Sequence, residues 1–483
     1  MSHVIPSTKR DVVVIGAGIA GLAAARWLVQ HRPEIKLTVI EQDTRLGGKI
    51  LTERVDGFVI EGGPDTFLAY KPRGVGLCRE LGLEGRLEGT NPDRRRTFIL
   101  REGKLFDLPE GLTGLIPSHF GPMIRTRLIS PLGKMRMALE PFIPPKAPGS
   151  DESLASFVRR RLGREAYDRM VEPLMGGIYA GDGNRLSLAA TFPQLRETEL
   201  RHGSLTRGML HARRHKGNGH QQAPRRPASA FLTPRTGLAE IIEALEQRLA
   251  GADVRKRTTA VRVEPLPGEG YHVRLAGQDW IETSSVILAT PAFVSAQLVE
   301  GFDPQMGAEL GSIPYTSTAT VSLAFPLSAF PRALDGYGYI VPQAEGRPIL
   351  ACTWTSTKFP HRAPDGFALI RAFIGKAGKE DLLDADDQAL VLMVRTELDQ
   401  VMGVRTTPIL QRVFRWPQAM PQYTLGHPDR LARLERRLDA HPGLQLAGSA
   451  YRGIGLPDCI ASGEAAAAAA LSHVQSMEKE RRR

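Results

Sequence analysis

The chain has 483 residues, 42% of them hydrophobic, and a formal net charge of +11. Its length indicates two or three domains, and its composition excludes global disorder. Cys78, Cys352 and Cys459 are far apart and odd in number, which argues against a disulfide framework, and we expect no metal site. The basic charge suits anionic partners, but without a known binding motif we expect no nucleic acid. With no signal peptide and no run of 18 apolar residues, we predict a cytoplasmic protein without a transmembrane helix.

The first fifty residues predict a βαβ unit. Residues 11–15 (DVVVI) are short, β-branched and closed by glycine, which is typical of a buried parallel strand. Residues 19–31 are rich in alanine and leucine with periodic apolar positions and predict a helix. Residues 36–40 (KLTVI) predict the following strand.

A G-x-G-x-x-G motif lies between the first predicted strand and the predicted helix. Gly16 allows the tight turn, Gly18 lets a pyrophosphate approach the backbone, and Gly21 lets helix and strand pack closely. The free N–H groups at the start of the helix suit phosphates. Glu41 follows Gly21 by twenty positions, where a carboxylate accepts hydrogen bonds from ribose hydroxyls and would repel a 2′-phosphate. This pattern predicts a site for the ADP half of a dinucleotide other than NADP.

Two further glycine loops favour FAD over NAD. Gly47 and Gly48 follow Glu41 closely, and such a pair can lie against the phosphates and ribityl chain of a flavin. Residues 61–67 (EGGPDTF) predict a stiff turn whose backbone can approach a planar ring without side-chain bulk.

These motifs resemble known flavoenzymes. Residues 41–52 resemble the loop after the βαβ unit in flavin amine oxidases, carotenoid desaturases and protoporphyrinogen oxidases. EGGPDTF resembles a segment of the bacterial protoporphyrinogen and coproporphyrinogen oxidase family, within the flavin amine oxidase superfamily. Further segments resemble signatures of that family in the same order, namely residues 172–182 (EPLMGGIYAGD), 186–195, 413–427 and 447–461. Gly448-Ser449 departs from the Gly-Asp pair that amine oxidases usually carry at this turn.

The pattern and the resemblance imply an α/β fold. A discontinuous Rossmann-type FAD-binding domain is expected over residues 1–90, 232–298 and 412–475, as in amine oxidases and p-hydroxybenzoate hydroxylase. A helical domain is expected over residues 91–210, a basic flexible loop over 211–231, and a mixed-sheet substrate-binding domain over 299–411. We predict single helices over residues 151–167, capped by Ser153 or Asp151, and over 458–471.

The resemblance implies an FAD-dependent, O2-using porphyrinogen oxidase of haem biosynthesis. Such an enzyme removes six electrons in three steps and forms three H2O2, with the flavin supplying the chemistry. No side chain stands out as a catalytic residue. We predict protoporphyrinogen IX as the substrate. Coproporphyrinogen III is the alternative, because its four propionates suit the positive charge. Further alternatives are another amine oxidase-like or carotenoid desaturase-like oxidoreductase and a non-enzymatic protein of the Rab-escort type.

Two sets of site residues follow from the motifs and the resemblance. Those predicted to bind FAD are Gly16, Gly18, Ile19, Ala20, Gly21, Glu41, Gln42, Arg45, Gly47, Gly48, Lys49, Gly62, Gly63, Pro64, Asp65, Thr66, Val261, Trp416, Gly448, Ile454, Gly455 and Leu456. The resemblance assigns the backbone of Val261 to the adenine and places Trp416 near the flavin. Those predicted to bind substrate are Lys71 and Arg73 for carboxylates and Phe325, Ile340, Thr353, Trp354 and Phe373 for the walls.

Residues 112–142 mix large apolar residues with cations and predict one or two amphipathic helices. One interpretation is an ordinary helical subdomain. The other is a surface that rests on an anionic bilayer or caps an apolar tunnel, with Arg125, Arg127, Lys134 and Arg136 as the cations. Docking on a ferrochelatase is a further hypothesis, and the resemblance implies a monomer or a homodimer.

Overall fold

The computed structural model describes residues 9–109, 112–113, 116–117, 120–147, 149, 151–216, 229–267, 270–277 and 279–483. The strands are β1 (Arg10–Ile15), β2 (Leu37–Ile40), β3 (Thr52–Val55), β4 (Phe58–Glu61), β5 (Phe67–Leu68), β6 (Leu87–Gly89), β7 (Phe98–Arg101), β8 (Lys104–Asp107), β9 (Leu112–Thr113), β10 (Ile116–Pro117), β11 (Phe231–Pro234), β12 (Asp253–Arg255), β13 (Ala260–Pro265), β14 (Tyr271–Leu275), β15 (Trp280–Leu288), β16 (Tyr315–Pro326), β17 (Gly338–Ile340), β18 (Ile349–Trp354), β19 (Phe367–Ile374), β20 (Leu410–Pro421) and β21 (Leu444–Leu446). The helices are α1 (Ile19–His31), α2 (Pro72–Glu80), α3 (Phe120–Arg125), α4 (Pro131–Ala138), α5 (Leu154–Leu162), α6 (Arg164–Ala166), α7 (Glu172–Tyr179), α8 (Leu188–Thr191), α9 (Pro193–His202), α10 (Leu205–Lys216), α11 (Ala239–Arg248), α12 (Ala292–Val299), α13 (Pro304–Gly311), α14 (Thr355–Lys358), α15 (Asp387–Met402), α16 (His427–Asp439) and α17 (Leu456–Arg481).

The first sheet is the nucleotide-binding sheet, with strand order β12–β2–β1–β15–β14–β13 and β21 beside β15. β1 runs parallel to both β2 and β15. Its central residues Val12, Val13 and Val14 are fully buried because helices cover both faces of the sheet. The predicted βαβ unit is confirmed, and α1 has the predicted bounds.

This sheet is assembled from three distant parts of the chain, as the discontinuous domain requires. β1 and β2 come from the first forty residues, β12 to β15 from the middle, and β21 from near the end. α17 packs directly on α1, because a Cβ at Gly463 would overlap the carbonyl oxygen of Ala20. α17 begins at Leu456 and continues to Arg481, so it is longer at both ends than the predicted helix.

The second sheet has the order β20–β16–β19–β18–β17–β7–β8. We call it the substrate sheet, because most of its strands lie in the predicted substrate-binding domain. β17 and β7 are parallel, and every other neighbouring pair is antiparallel. The sheet therefore extends beyond the predicted range 299–411 in both directions. β20 was expected in the FAD-binding domain and β7 and β8 in the helical domain. The sequence pattern of these strands does not reveal which sheet they join, since pairing is decided by distant partners.

The helical region is held together by buried ion pairs. Arg161 and Glu140 are both fully buried and pair with each other. Glu140 also accepts hydrogen bonds from Ser204 Oγ at 2.6 Å and from two backbone N–H groups at the start of α10. A single carboxylate therefore neutralises a buried guanidinium and caps a helix.

Two local predictions in this region need correction. The expected helix over 151–167 divides at Gly163, whose φ of +94° ends α5. Ser153 caps α5, whereas Asp151 accepts from the backbone N–H of Gly426 instead. α10 extends to Lys216 and so enters the predicted loop 211–231, of which residues 217–228 lie outside the described part of the chain.

The predicted amphipathic stretch 112–142 contains two short helices, α3 and α4, with a Glu140–Phe142 3₁₀ turn after α4. A two-stranded pair, β9 with β10, precedes them. Residues 114–115 and 118–119 of this stretch lie outside the described residues.

The buried pair gives a test of stability. Glu140→Gln leaves buried Arg161 with only the more distant carboxylate of Glu199, at 3.6 Å, and we expect the free energy of unfolding to fall by about 3 kcal/mol. Burial raises the pKa of Glu140, but hydrogen bonds from Ser204 and Thr206 outweigh it and leave the pKa below its usual value. The carboxylate therefore stabilises the fold at neutral pH, and this contribution is lost as pH falls through the lowered pKa. Urea unfolding of both proteins should show a constant difference from pH 7 to about pH 5 and a shrinking one below about pH 4.5.

The control for this test is Glu435→Gln. Glu435 pairs with Arg452 at the surface, with both side chains more than half exposed, and its loss should change the free energy of unfolding by less than about 0.5 kcal/mol. Equal effects of the two substitutions would contradict the role given to Glu140.

Candidate active site

The dinucleotide motif forms the expected strand–turn–helix. Gly16 has a φ of +98°, and a Cβ there would lie 2.8 Å from the carbonyl oxygen of Ala289. A Cβ at Gly21 would overlap the carbonyl oxygen of Gly16. At Gly18, in contrast, a Cβ would meet no protein atom within 4 Å. The glycine at position 18 is therefore not required by protein packing, and it leaves open space where α1 begins with free N–H groups.

Glu41 lies against this turn. Its carboxylate accepts hydrogen bonds from the backbone N–H of Ala17 at 2.8 Å and of Asp43 at 2.9 Å. This is the position at the end of β2 from which a carboxylate reaches a ribose. Gln42, its neighbour, is exposed.

The second glycine loop touches the first. Gly47 donates its N–H to the carbonyl of Ala17 at 2.8 Å, and Gly18 and Gly47 form an isolated parallel bridge. Arg45 donates to the carbonyls of Gly48 and, at 3.0 Å, of Ile50. Lys49 donates to the carbonyl of Ala419, and burial lowers the pKa of its ammonium group. Both side chains brace the loop, so the surface that they leave for a cofactor is backbone.

The EGGPDTF loop is clamped to the substrate sheet. The carbonyl oxygen of Gly62 accepts from Trp416 Nε1 at 2.8 Å, from Thr320 Oγ1 at 3.1 Å and from Arg371 Nη2 at 3.2 Å. Arg371 also donates to the carbonyl of Gly63. A Cβ at Gly63 would overlap the carbonyl oxygen of Lys49, so the second and third glycine loops are in direct contact.

Within the same loop, Asp65 pairs with Lys358 at 2.9 Å, and Thr66 donates its hydroxyl to Asp65. Burial raises the pKa of Asp65, but the cations Lys358 and Arg371 outweigh it and hold the pKa well below its usual value. Asp65 is therefore a carboxylate at neutral pH. Pro64 lies between the two anchored parts of the loop, Gly63 and Asp65.

The final glycine turn lies between β21 and α17. Gly448 has a φ of +122° and Gly453 a φ of +134°. The hydroxyl of Tyr423 donates to the carbonyl of Ser449 at 2.6 Å and accepts from the N–H of Gly453 at 2.8 Å. Ile454 and Gly455 then lead into α17, whose first residue, Leu456, follows a cap without a side-chain hydrogen bond. This helix start also presents free N–H groups.

His427 packs against the residues that hold the final glycine turn. Its ring stacks on Tyr423 with centroids 4.3 Å apart, and its Nε2 lies 3.0 Å from the carbonyl oxygen of Tyr451. Burial lowers the pKa of His427 to about 4, so its ring is neutral at pH 7. Neither Tyr423 nor His427 was predicted from the sequence.

Val261 lies where β13 slips in register against β14. Ala260 and Arg262 have cross-strand partners in β14, whereas Val261 has none. Its side chain is 44% exposed. A bulge of this kind frees backbone groups, which is compatible with the predicted contact to adenine.

The two predicted carboxylate-binding cations already have partners. Lys71 Nζ lies 2.5 Å from Asp458 in the first turn of α17. Arg73 pairs with Glu80 at 3.0 Å and with Glu464 of α17. Arg73, 30% exposed, joins α2 to α17 through these pairs and stays a prediction as a substrate-binding residue. Lys71, one-third exposed beside the helix start, stays a prediction.

The alternation of the substrate sheet separates the predicted walls into two groups. Ile340 pairs with Ala351, which pairs with Phe373, and Thr353 pairs with Arg371. These side chains share the face of Arg371, which is the face towards the EGGPDTF loop. Trp354 and Phe325 point to the opposite face and lie in the core packed by α15, where they are 4% and 1% exposed. Their prediction as walls is corrected.

The described residues contain neither a metal-binding cluster nor a membrane-spanning helix. In that part of the chain there is no group of three or more His, Cys, Asp or Glu side chains that could hold a metal ion. None of the described helices is long and apolar enough to cross a membrane. The three cysteines are free and buried.

Comparison of this sequence with known protein families identifies the family of the chain. Residues 19–471 match the family described as flavin containing amine oxidoreductase. The chain belongs to this family. Its cofactor is FAD, and the glycine cradle described above fits the backbone approach that this cofactor needs.

Individual relatives narrow the group. The chain is 37% identical over 473 residues to the coproporphyrinogen III oxidase of Bacillus subtilis (strain 168), covering 97% of this chain and 99% of the relative. It is 31% identical to protoporphyrinogen oxidase 1, chloroplastic, of Arabidopsis thaliana, covering 93% and 86%. A solved structure from Exiguobacterium sp. 255-15, provisionally named a protoporphyrinogen oxidase, matches with a TM-score of 0.83 at 33% identity, covering 98% of this chain and 99% of the other. The flavoenzyme is thus of the porphyrinogen oxidase type, and the predicted fold class is confirmed.

The open space at Gly18 gives a direct test of the cradle. Gly18→Ala should leave the stability of the apoprotein unchanged, because the added Cβ meets no protein atom. It should weaken FAD binding at least tenfold, because the pyrophosphate can no longer approach the backbone. Thermal unfolding of the apoprotein and titration with FAD measure the two effects. Gly251→Ala, also in open space, is the control. Unchanged FAD affinity in Gly18→Ala would refute the site.

Proposed function

We propose that this chain is a coproporphyrinogen III oxidase, which uses O2 to convert coproporphyrinogen III to coproporphyrin III. The observation that carries the proposal is the greater identity to the bacterial relative named for coproporphyrinogen than to the plant relative named for protoporphyrinogen. This reverses the preference for protoporphyrinogen IX, which rested on motifs that occur in enzymes for either substrate. A net charge of +11 agrees with a substrate that carries four propionates rather than two.

When bound, FAD supplies the two-electron oxidation in each of three rounds. The protein's own groups hold and orient the reactants. The start of α1 at Gly18 offers N–H groups to the pyrophosphate, and Glu41 lies where the ribose is expected. Trp416 and Thr320 fix the carbonyl of Gly62, so the loop expected beside the flavin ring is attached rigidly to the substrate sheet.

The same sheet face offers a surface for a macrocycle. Ile340 and Phe373 contribute apolar groups and Thr353 a hydroxyl, all partly exposed on the side of the EGGPDTF loop. α7 packs beside β17 and β18 and is tied to the sheet at both ends. At its start Glu172 accepts the N–H of Gln343 at 3.0 Å, and at its end the carbonyl of Ala180 accepts the N–H of Ala377 at 2.8 Å. A macrocycle held here would be shielded from water on the side of the sheet.

The choice of substrate is tested by steady-state kinetics. We expect kcat/KM for coproporphyrinogen III to exceed that for protoporphyrinogen IX at least tenfold, because the additional propionates gain cationic partners. Growth of porphyrin fluorescence above an autoxidation blank measures both. A preference for protoporphyrinogen IX would restore the earlier prediction. Activity with neither substrate would favour the amine oxidase-like or desaturase-like alternatives.

We also propose that α4 and the turn after it rest on an anionic membrane surface. Leu132, Met135, Leu139 and Phe142 are 77%, 66%, 55% and 78% exposed. Their spacing of three, four and three residues places them on one side of the helix. We call these four residues the apolar stripe. Large apolar side chains arranged in this way on a surface indicate a contact.

The charge around the apolar stripe favours lipid as the partner. Residues 111–139 contain no Asp or Glu, and Glu140 is buried. Arg125 and Arg127 are exposed nearby. Arg136, in contrast, donates to the carbonyls of Arg160 and Arg161 at the end of α5, so it anchors the helix and is not part of the proposed contact. An apolar stripe in a basic stretch of sequence without acidic residues suits an anionic bilayer.

Vesicle co-sedimentation tests this surface. We expect binding to phosphatidylglycerol-containing vesicles and little binding to phosphatidylcholine alone. Leu132→Ser with Phe142→Ser should reduce binding at least fivefold, because the buried apolar area is lost. Leu392→Ser removes an equally exposed apolar residue, at 61%, from α15 and should have no effect. Equal pelleting of all variants would refute a lipid contact. Stripe-dependent binding of purified ferrochelatase without vesicle binding would assign the stripe to that protein.

A further inference from the structure

Five charged groups meet inside the protein, where the EGGPDTF loop joins the substrate sheet. We call them the junction charges: Glu61, Asp65, Lys358, Arg362 and Arg371. Glu61, Arg362 and Arg371 are 3%, 1% and 3% exposed. So many charges at such depth are costly and need a reason beyond stability.

Ion pairing among the junction charges leaves one of the three cations without a carboxylate partner. Glu61 binds Arg362 at 3.0 Å, and Asp65 binds Lys358 at 2.9 Å. In the described part of the chain no ion pair within 4.0 Å joins Arg371 to a carboxylate. The three cations and two carboxylates sum to one net positive charge. This charge belongs to Arg371, which the carboxylates of Asp65 and Glu61 balance only from a distance.

Arg371 donates hydrogen bonds to the EGGPDTF loop. Its Nη2 donates to the carbonyls of Gly62 and Gly63, and its guanidinium lies 4.7 Å from the ring centroid of Phe373. Its Nε is buried and has no hydrogen-bond partner among the described residues. Protein groups alone therefore satisfy neither the charge nor all the donors of this side chain. The uncompensated charge and the unpaired donor are compatible with a further partner that is not part of the protein.

We propose that Arg371 is a positioning residue that also sets the reduction potential of the bound flavin. It holds the carbonyls of Gly62 and Gly63, and it places a fixed positive charge beneath the loop that faces the cofactor. A flavin that takes two electrons and one proton from the substrate gains one negative charge. A buried cation nearby stabilises that charge and so raises the potential, while Asp65 opposes the effect. This proposal depends on FAD as cofactor and not on which porphyrinogen is the substrate.

The test uses four variants with FAD bound. Arg371→Gln removes the charge, Arg371→Lys keeps it, and Asp65→Asn removes an opposing charge. Arg412→Gln is the matched control. Arg412 and Arg371 are the two cross-strand neighbours of Ser322, but Arg412 is paired with Glu53 at 2.8 Å and touches no carbonyl of the loop.

The main readout is the midpoint potential of the bound flavin, measured by equilibration with a redox dye. We expect Arg371→Gln to shift the equilibrium at least tenfold towards the oxidised flavin, which is about 30 mV for a two-electron couple. Asp65→Asn should shift it the other way. Arg371→Lys should stay nearer the wild type than Arg371→Gln does, and Arg412→Gln should match the wild type.

Thermal unfolding of each apoprotein and titration with FAD separate these shifts from a loss of structure. A merely structural Arg371 would lower stability and FAD affinity but leave the potential of the loaded protein unchanged. Shifts of the same sign in Arg371→Gln and Asp65→Asn would overturn the proposal. If Arg371→Gln does not fold, an unchanged or lowered potential in Asp65→Asn overturns it equally.

Discussion

Close approach of backbone to backbone is the constraint on which this structure depends. A Cβ at Gly21 would overlap the carbonyl of Gly16, one at Gly63 the carbonyl of Lys49, and one at Gly463 the carbonyl of Ala20. Each contact joins segments that must meet for a dinucleotide to be held by main-chain groups. Side chains such as Arg45 and Tyr423 then hold the loops from behind. The surface left for the cofactor is made of peptide groups, and this explains why a site without evident catalytic side chains can still be specific.

The two sheets divide the work of the enzyme, and one loop joins them. The nucleotide-binding sheet carries two of the glycine turns on the ends of its buried strands, and the substrate sheet supplies the donors that grip Gly62. A displacement of the substrate sheet would therefore be passed directly to the EGGPDTF loop, which is predicted to lie beside the flavin. The link between this loop and the sheet includes hydrogen bonds of 2.8 to 3.2 Å to a single carbonyl, that of Gly62.

Local patterns in the sequence identified most helices and strands. They did not identify features that depend on pairing between distant strands, such as which sheet a strand joins. α1 has the predicted bounds because its apolar period and the glycine turn before it mark it fully. Thr353 and Trp354 are neighbours, yet they point to opposite faces of β18, a strand whose residues are mostly apolar on both faces. Such a strand carries no alternation from which the face can be read. Arg371 was missed for a related reason, because a cation inside an apolar strand signals a site only when its distant partners are known.

The packing of α17 on α1 has a consequence for how the protein folds during its synthesis. β1 and α1 lie within residues 10–31, but the helix that covers them, and the last glycine turn of the cofactor site, lie after Leu446. Because domains fold as units once their parts have emerged, this one cannot close until α17 has been synthesised. The cofactor site is completed only then, and the apolar face of α1 stays uncovered until that point.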